Sequence, residues 1–154
     1  MSDLWKKIND DIPEYVSDIC LDYNLKCERV SDLKTALLGD KFAIEFGINR
    51  FDVDVYYLYF DGNKIVKHSC GNFFARAFDD SDRKNLISGN GVDVIVRNCL
   101  KVTVSGLSSK WRNVLQGDTS WLKDYKKSPY YGMDKLSDEE KYVFETNFLS
   151  NNEL

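Results

Sequence analysis

The chain has 154 residues, 43% of them hydrophobic and 30% charged, with a formal net charge of −4 and a pI near 5.0. This composition excludes intrinsic disorder, and the acidic balance argues against a nucleic-acid surface, which needs a net basic face to displace counterions. No apolar run approaches the ~20 residues that span a bilayer.

Residues 1–154 are read as one domain, long enough to bury roughly two thirds of the surface its unfolded form exposes. Met1 is followed by SDLWKKINDD, which has none of the basic, apolar and small-residue blocks of a secretory signal, so a cytoplasmic protein is expected. Cys20, Cys27, Cys70 and Cys99 lack paired CxxC spacing and are read as reduced, mostly buried thiols with no zinc. The 14% aromatic content suits both a core and a protein interface.

At the N-terminus, Leu4, Trp5, Ile8 and Ile12 recur at helical spacing, and Tyr15, Val16, Ile19, Cys20 and Tyr23 follow. Pro13 fits the first turn of a helix and is expected to separate a short helix from a longer one. Between Leu25 and Leu38 the signals conflict: LKCERV suits a strand, whereas Ser31 could cap a helix ending at Gly39. Strand and loop is the preferred reading.

From Lys41 the alternation is clear. Phe42, Ile44, Phe46 and Ile48 share a core face, with Lys41, Ala43, Glu45 and Gly47 on a face expected to be mostly wet. Phe51, Val53, Val55, Tyr57 and Tyr59 form the apolar side of the next strand, opposite Asp52, Asp54, Tyr56, Leu58 and Phe60. Asp61 and Gly62 signal a tight hairpin, because glycine supplies positive φ at little cost, and Lys64 to Cys70 should return.

The segment DDSDRKNLISGNG is a turn-rich loop with at most one helical turn. VDVIVRNCLKVTVSG is read as a helix because its polar residues gather on one helical face and fifteen residues is long for a strand. A buried strand over 91–106 is the alternative. Further helices are expected through Leu115 and after Asp118 or Thr119, then a loop. The last helix opens on Ser137 and Glu140 at capping-box spacing. The expected fold is α+β, a small antiparallel sheet packed with N-terminal and C-terminal helices.

Few constellations carry chemistry. Asp52 and Asp54 should project from one strand face about 7 Å apart, too few ligands for a metal site. His68 is the single histidine, and Cys70 would share its strand face, yet no orienting third group or nucleophile elbow accompanies them. Asp79, Asp80 and Asp82 form the densest acidic cluster, on a loop suited to steering a basic partner. Tyr130 and Tyr131 are interface candidates, or else close a loop onto the core. No catalytic residue, metal ligand or cofactor is assigned.

The N-terminal helical segment, the sheet carrying FAIEFGINRFDVDVYYLYFDGNK and the helices carrying WRNVLQGDTSWLKDY together resemble the bacterial immunity proteins of contact-dependent growth inhibition and related polymorphic toxin systems. The resemblance is one of size, acidity and layout, and no residue role is carried over by a motif. It implies a protein that binds one cognate toxin domain, often a nuclease with a basic surface, and blocks its active site or substrate entry. Asp52, Asp54, Asp79, Asp80, Asp82, Tyr130 and Tyr131 are the expected partner contacts. Neither nucleic acid nor membrane is an expected partner, and a homo-oligomer stays open. The alternative is a small enzyme or ligand-binding domain with an aromatic-lined pocket near His68.

Overall fold

The computed structural model of the protein describes residues 2–150, an α+β fold around an antiparallel sheet. Helix α1 (Ser2–Tyr15) turns Ile8 and Ile12 fully inward. Pro13 lies within α1 and does not divide two helices. It sits in the last turn, where one missing amide costs a single hydrogen bond, and Val16 N still donates to Ile12 O at 3.2 Å. The break comes at Val16 (φ −107°, ψ 7°), after which α2 (Ser17–Tyr23) runs to Asn24 in the left-handed region.

Strands β1 (Lys26–Ser31), β2 (Lys34–Leu38), β3 (Phe42–Ile48), β4 (Val53–Phe60), β5 (Ile65–Ser69) and β6 (Met133–Asp134) form one sheet in the order β1-β2-β3-β4-β5-β6, antiparallel throughout. Strand and loop is thus the state of 25–38, and no helix follows Ser31. The β4–β5 hairpin turns at Gly62 (φ +102°), with the Asp61 carboxylate accepting from Asn63 N and Lys64 N at 2.9 Å each. Alternation sets the β3–β4 register, pairing Phe42 with Tyr59, Ile44 with Tyr57 and Phe46 with Val55.

After β5 come α3 (Gly71–Ala75), a 3-10 turn (Asp80–Arg83), α4 (Val92–Lys110), α5 (Arg112–Leu115), α6 (Leu122–Lys127) and, beyond β6, α7 (Asp138–Ser150). Residues 92–110 are therefore helical, as their polar face implies. Helix α3 was not expected. It seats Phe73 and Phe74 against Trp111 and Trp121, and Trp111 Nε1 donates to Phe74 O at 2.9 Å.

Two cores result. One side of the sheet packs Phe42, Ile44, Phe46, Val55 and Tyr57 with residues of α1, α2, α3, α4, α5 and α6. The other packs Ala36, Ala43 and Leu58 with Val143, Phe144 and Phe148 of α7. The second face of β3 is accordingly dry, contrary to its polar sequence: Ala43 and Glu45 are fully buried. Small residues at Ala36, Ala43 and Gly47 let a helix approach, and the buried Lys67 ammonium lies 3.8 Å from Glu45.

Candidate partner-binding groove

The first turns of α4, the exposed segment before it and the turn between β3 and β4 enclose an apolar groove of about 470 Å³, lined by Leu86, Ile95, Cys99, Val102 and Phe78 and edged by Asp52 and Arg83. Four large apolar side chains stay exposed around it: Phe51 (58%), Leu86 (39%), Ile87 (38%) and Ile95 (42%). Phe51 joins the groove through its carbonyl, which takes the Cys99 thiol hydrogen bond at 4.0 Å. Clusters of this kind on an acidic surface mark interaction sites far more than scattered single residues do.

The exposed segment is held in place. Asn98 on α4 accepts from Ile87 N at 2.8 Å and donates its amide to Ile87 O at 3.0 Å, pairing with the backbone as a neighbouring strand would. Phe78 forms the groove floor because Gly106 has no Cβ: any side chain there would run into the Phe78 ring. Leu86 and Ile87 are thus presented on a fixed backbone, which lowers the ordering cost of binding.

The acidic candidates divide. Asp52 does not lie on a strand: β4 starts at Val53, and Asp52 closes the preceding turn, its Oδ1 accepting from Val53 N at 2.7 Å. A shared strand face with Asp54 is therefore absent, because the chain is still turning at Asp52. Both nevertheless line one small polar cavity of about 120 Å³ with Ser69, Asn72 and Thr103, and Phe78 walls this cavity as well as the apolar groove. Asp54 Oδ2 accepts from Asn49 Nδ2 at 3.2 Å.

Asp82 is not an exposed contact. It is 3% exposed and accepts from Ser109 Oγ at 2.7 Å, Ser105 Oγ at 2.9 Å, Lys110 Nζ at 3.0 Å and Asp79 N at 3.1 Å, tying the 3-10 turn to α4. Burial alone would raise its pKa. The hydrogen bonds from Ser109, Asp79, Lys110 and Ser105 prevail and hold it far below the usual carboxylate range. Asp79 caps the turn through Ser81 N and pairs with Lys110 at 3.3 Å, and its pKa is lowered chiefly by the hydrogen bond from the Ser81 hydroxyl and then by Lys110. Asp80 alone of the three projects fully into solvent, 3.9 Å from Arg83.

Tyr130 and Tyr131 are a little under half exposed. The Tyr131 ring closes on His68 (5.9 Å) and Tyr125 (5.5 Å), so it shares the core as well as the surface. His68 itself is 1% exposed, between Tyr59 (5.7 Å) and Tyr125 (5.3 Å). Burial, aided by the Lys126 charge, pushes its pKa down, while burial drives the Cys70 thiol up to about 12. An activated Cys–His pair needs the opposite shifts. Among the described residues, no group of three or more His, Cys, Asp and Glu could hold a metal ion, and no helix is long and apolar enough to cross a membrane.

No family model, curated protein or solved structure matches the chain. The site is therefore weighed on its own chemistry.

Sequence reasoning missed the apolar half of the groove. Leu86 and Ile87 stood in a segment read as turn-forming, and Phe51 was placed on the buried side of β4 although it precedes the strand. Their only sequence signal was two adjacent large aliphatic residues inside a polar loop. Equally unseen was the ion cluster under α7, where Lys67 Nζ lies 2.7 Å from Glu140 Oε2 and 3.8 Å from Glu45 Oε1, with Lys34 3.5 Å from Glu140. Lys67 also sits over the Tyr56 ring at 4.2 Å. Burial, then hydrogen bonding with Glu140 and its charge, raise Glu45 well above the carboxylate range, against the pull of both lysines. Burial would raise Glu140 too, but hydrogen bonds from Glu45, Lys67 and the Ser137 amide hold it below its ordinary value.

Proposed function

We propose that this chain is an immunity-type binding protein, which acts in the cytoplasm and neutralises a cognate toxin domain, a nuclease with a basic surface, by covering its active site or substrate cleft. The observation that carries this reading is the exposure of Phe51, Leu86, Ile87 and Ile95 around a groove edged by Asp52 and Arg83, with the Ile87 backbone pinned by Asn98. Apolar anchors within a polar, charged rim are the anatomy of an inhibitor interface. The acidic charge further suits fast encounter with a basic surface that ordinarily takes nucleic acid.

The test is protection. A candidate nuclease toxin domain is assayed for cleavage of DNA and RNA with and without equimolar purified protein. Stoichiometric loss of activity is expected, and full activity at a large excess of the protein would end the reading.

A second reading, a small ligand-binding domain or enzyme near His68, draws on a different feature. The Tyr57 hydroxyl and the Trp121 indole N–H are buried on one aromatic wall without hydrogen-bond partners among the described residues. Buried polar atoms ordinarily find partners. Spectral perturbation of His68 and Trp121 across a small-molecule panel, reversed by His68→Phe, would favour it.

A further inference from the structure

Residues 84–91, which carry Leu86 and Ile87, form no helix or strand and are exposed throughout. The stretch ends in Asn90-Gly91, the one Asn-Gly pair in the chain. We propose that Asn90 is a site of spontaneous deamidation and isomerisation, which ages this segment by adding a carboxylate and, in the isoaspartyl product, one extra backbone carbon. This inference does not depend on the binding reading above.

Three observations select Asn90. Its side-chain amide has no hydrogen-bond partner among the described residues, whereas Asn9, Asn49, Asn98 and Asn147 each use theirs. Gly91, the residue ahead of α4, has no Cβ to hinder its amide nitrogen. Both residues lie outside the helix, so the backbone is free to turn that nitrogen onto the side-chain carbonyl. Asp61-Gly62 is the contrasting pair. There the carboxylate accepts from Lys64 N and Asn63 N, and these bonds lower its pKa. An ionised carboxylate offers no leaving group to match the Asn90 amide.

The chemistry needs only water and is redox-neutral. The Gly91 amide nitrogen gives its proton to solvent base and attacks Cγ of Asn90, and the side-chain nitrogen leaves as ammonia. Water then opens the succinimide. Breaking the bond from nitrogen to Cγ gives aspartate, and breaking the bond from nitrogen to the backbone carbonyl carbon gives isoaspartate, whose chain runs through Cβ and Cγ. The segment is tied on both sides of that insertion. Asn98 holds Ile87 N and O at 2.8 and 3.0 Å, and Gly91 O accepts from Ile95 N at 3.1 Å. Only Ser88, Gly89 and Asn90 lie between these ties. The isoaspartyl form therefore loosens the Asn98 clasp, and with it the placement of Leu86 and Ile87 beside the groove.

The purified protein is incubated at neutral and alkaline pH, and its tryptic peptide Asn85–Arg97 is followed by mass spectrometry. A gain of about 1 Da confined to Asn90 is expected on the order of days. It should be faster as pH rises, because base must remove the Gly91 amide proton, and Asn85 in the same peptide should stay unchanged. Because the native segment is already open, unfolding in urea should speed conversion by less than about tenfold. Gly91→Ala sets a Cβ only against the flexible end of Asp93, 2.8 Å from Oδ1, and should slow conversion at least about tenfold. The Asn85 and urea comparisons use the unmutated protein, so they decide the matter even if that variant does not fold. In the separated isoaspartyl form the Ile87 amide should exchange its hydrogen about tenfold faster. Equal conversion at Asn85 and Asn90, or conversion of Asn90 in urea alone, would overturn the site. Unchanged Ile87 exchange in the isoaspartyl form would overturn its effect on the clasp.

Discussion

The two faces of the sheet are both buried, but by opposite means. Towards α1–α6 the strands present aromatic and branched side chains, and rings interlock from Phe42 through Tyr57 and Trp121 to Phe73 and Phe74. Towards α7 the strands offer Ala36, Ala43 and Gly47, and a single helix closes over a cluster of two lysines and two glutamates. The first face is held by apolar area and tolerates small losses. The second depends on charge balance, because removing one member strands a buried charge.

That contrast predicts its largest effect at Lys67. Lys67→Met keeps the length of the side chain but leaves Glu140 buried with only the half-open Lys34 beside it. A loss of about 3–5 kcal/mol in urea unfolding is expected, and a loss near zero would show that α7 is held by its three apolar residues alone.

A smaller, pH-dependent effect follows at Glu45. Its folded-state pKa lies above the ordinary 4.5, so the native state binds more protons than the unfolded chain over the interval above that value. Stability from this group is full below pH 4.5 and is lost as pH rises, by up to about 1.4 kcal/mol per pH unit. Glu45→Gln mimics the protonated side chain and should flatten that alkaline decline. Its advantage over the natural protein grows with pH, and parallel pH profiles would contradict the assignment.

The smallest effect belongs to the aromatic face. Tyr57→Phe removes a buried hydroxyl that has no partner among the described residues and keeps the ring against Trp121. Stability should be unchanged or higher by about 1 kcal/mol. A clear loss would reveal a bound partner for that hydroxyl, and with it support for the ligand reading near His68.

The same contrast explains what could be read beforehand. Period-two alternation located β3 and β4 and their aromatic core, because large apolar residues on one face have a single interpretation. Asp61-Gly62 and Ser137 with Glu140 were legible as turn and cap, since their partners are local in sequence, and Ser137 N does donate to Glu140 Oε1 at 2.8 Å. The second face was misread as wet because Glu45 and Lys67 carry the sequence signature of exposure, and their compensation depends on Glu140 some seventy residues or more away. α7 reveals little itself, with Val143, Phe144 and Phe148 as its buried apolar residues among polar ones. At the candidate site, carboxylates announced themselves by density, which favoured Asp82 although it is a buried anchor. Asn98 clasping Ile87 is a tertiary contact with no local mark in the sequence.

The central claim is that this acidic chain exists to bind one basic protein domain. Titrating the purified protein with the candidate toxin domain in a calorimeter tests it most directly. A one-to-one complex of nanomolar affinity that weakens as salt is raised is the predicted result. No heat of binding at micromolar concentrations, with both proteins folded, would contradict it.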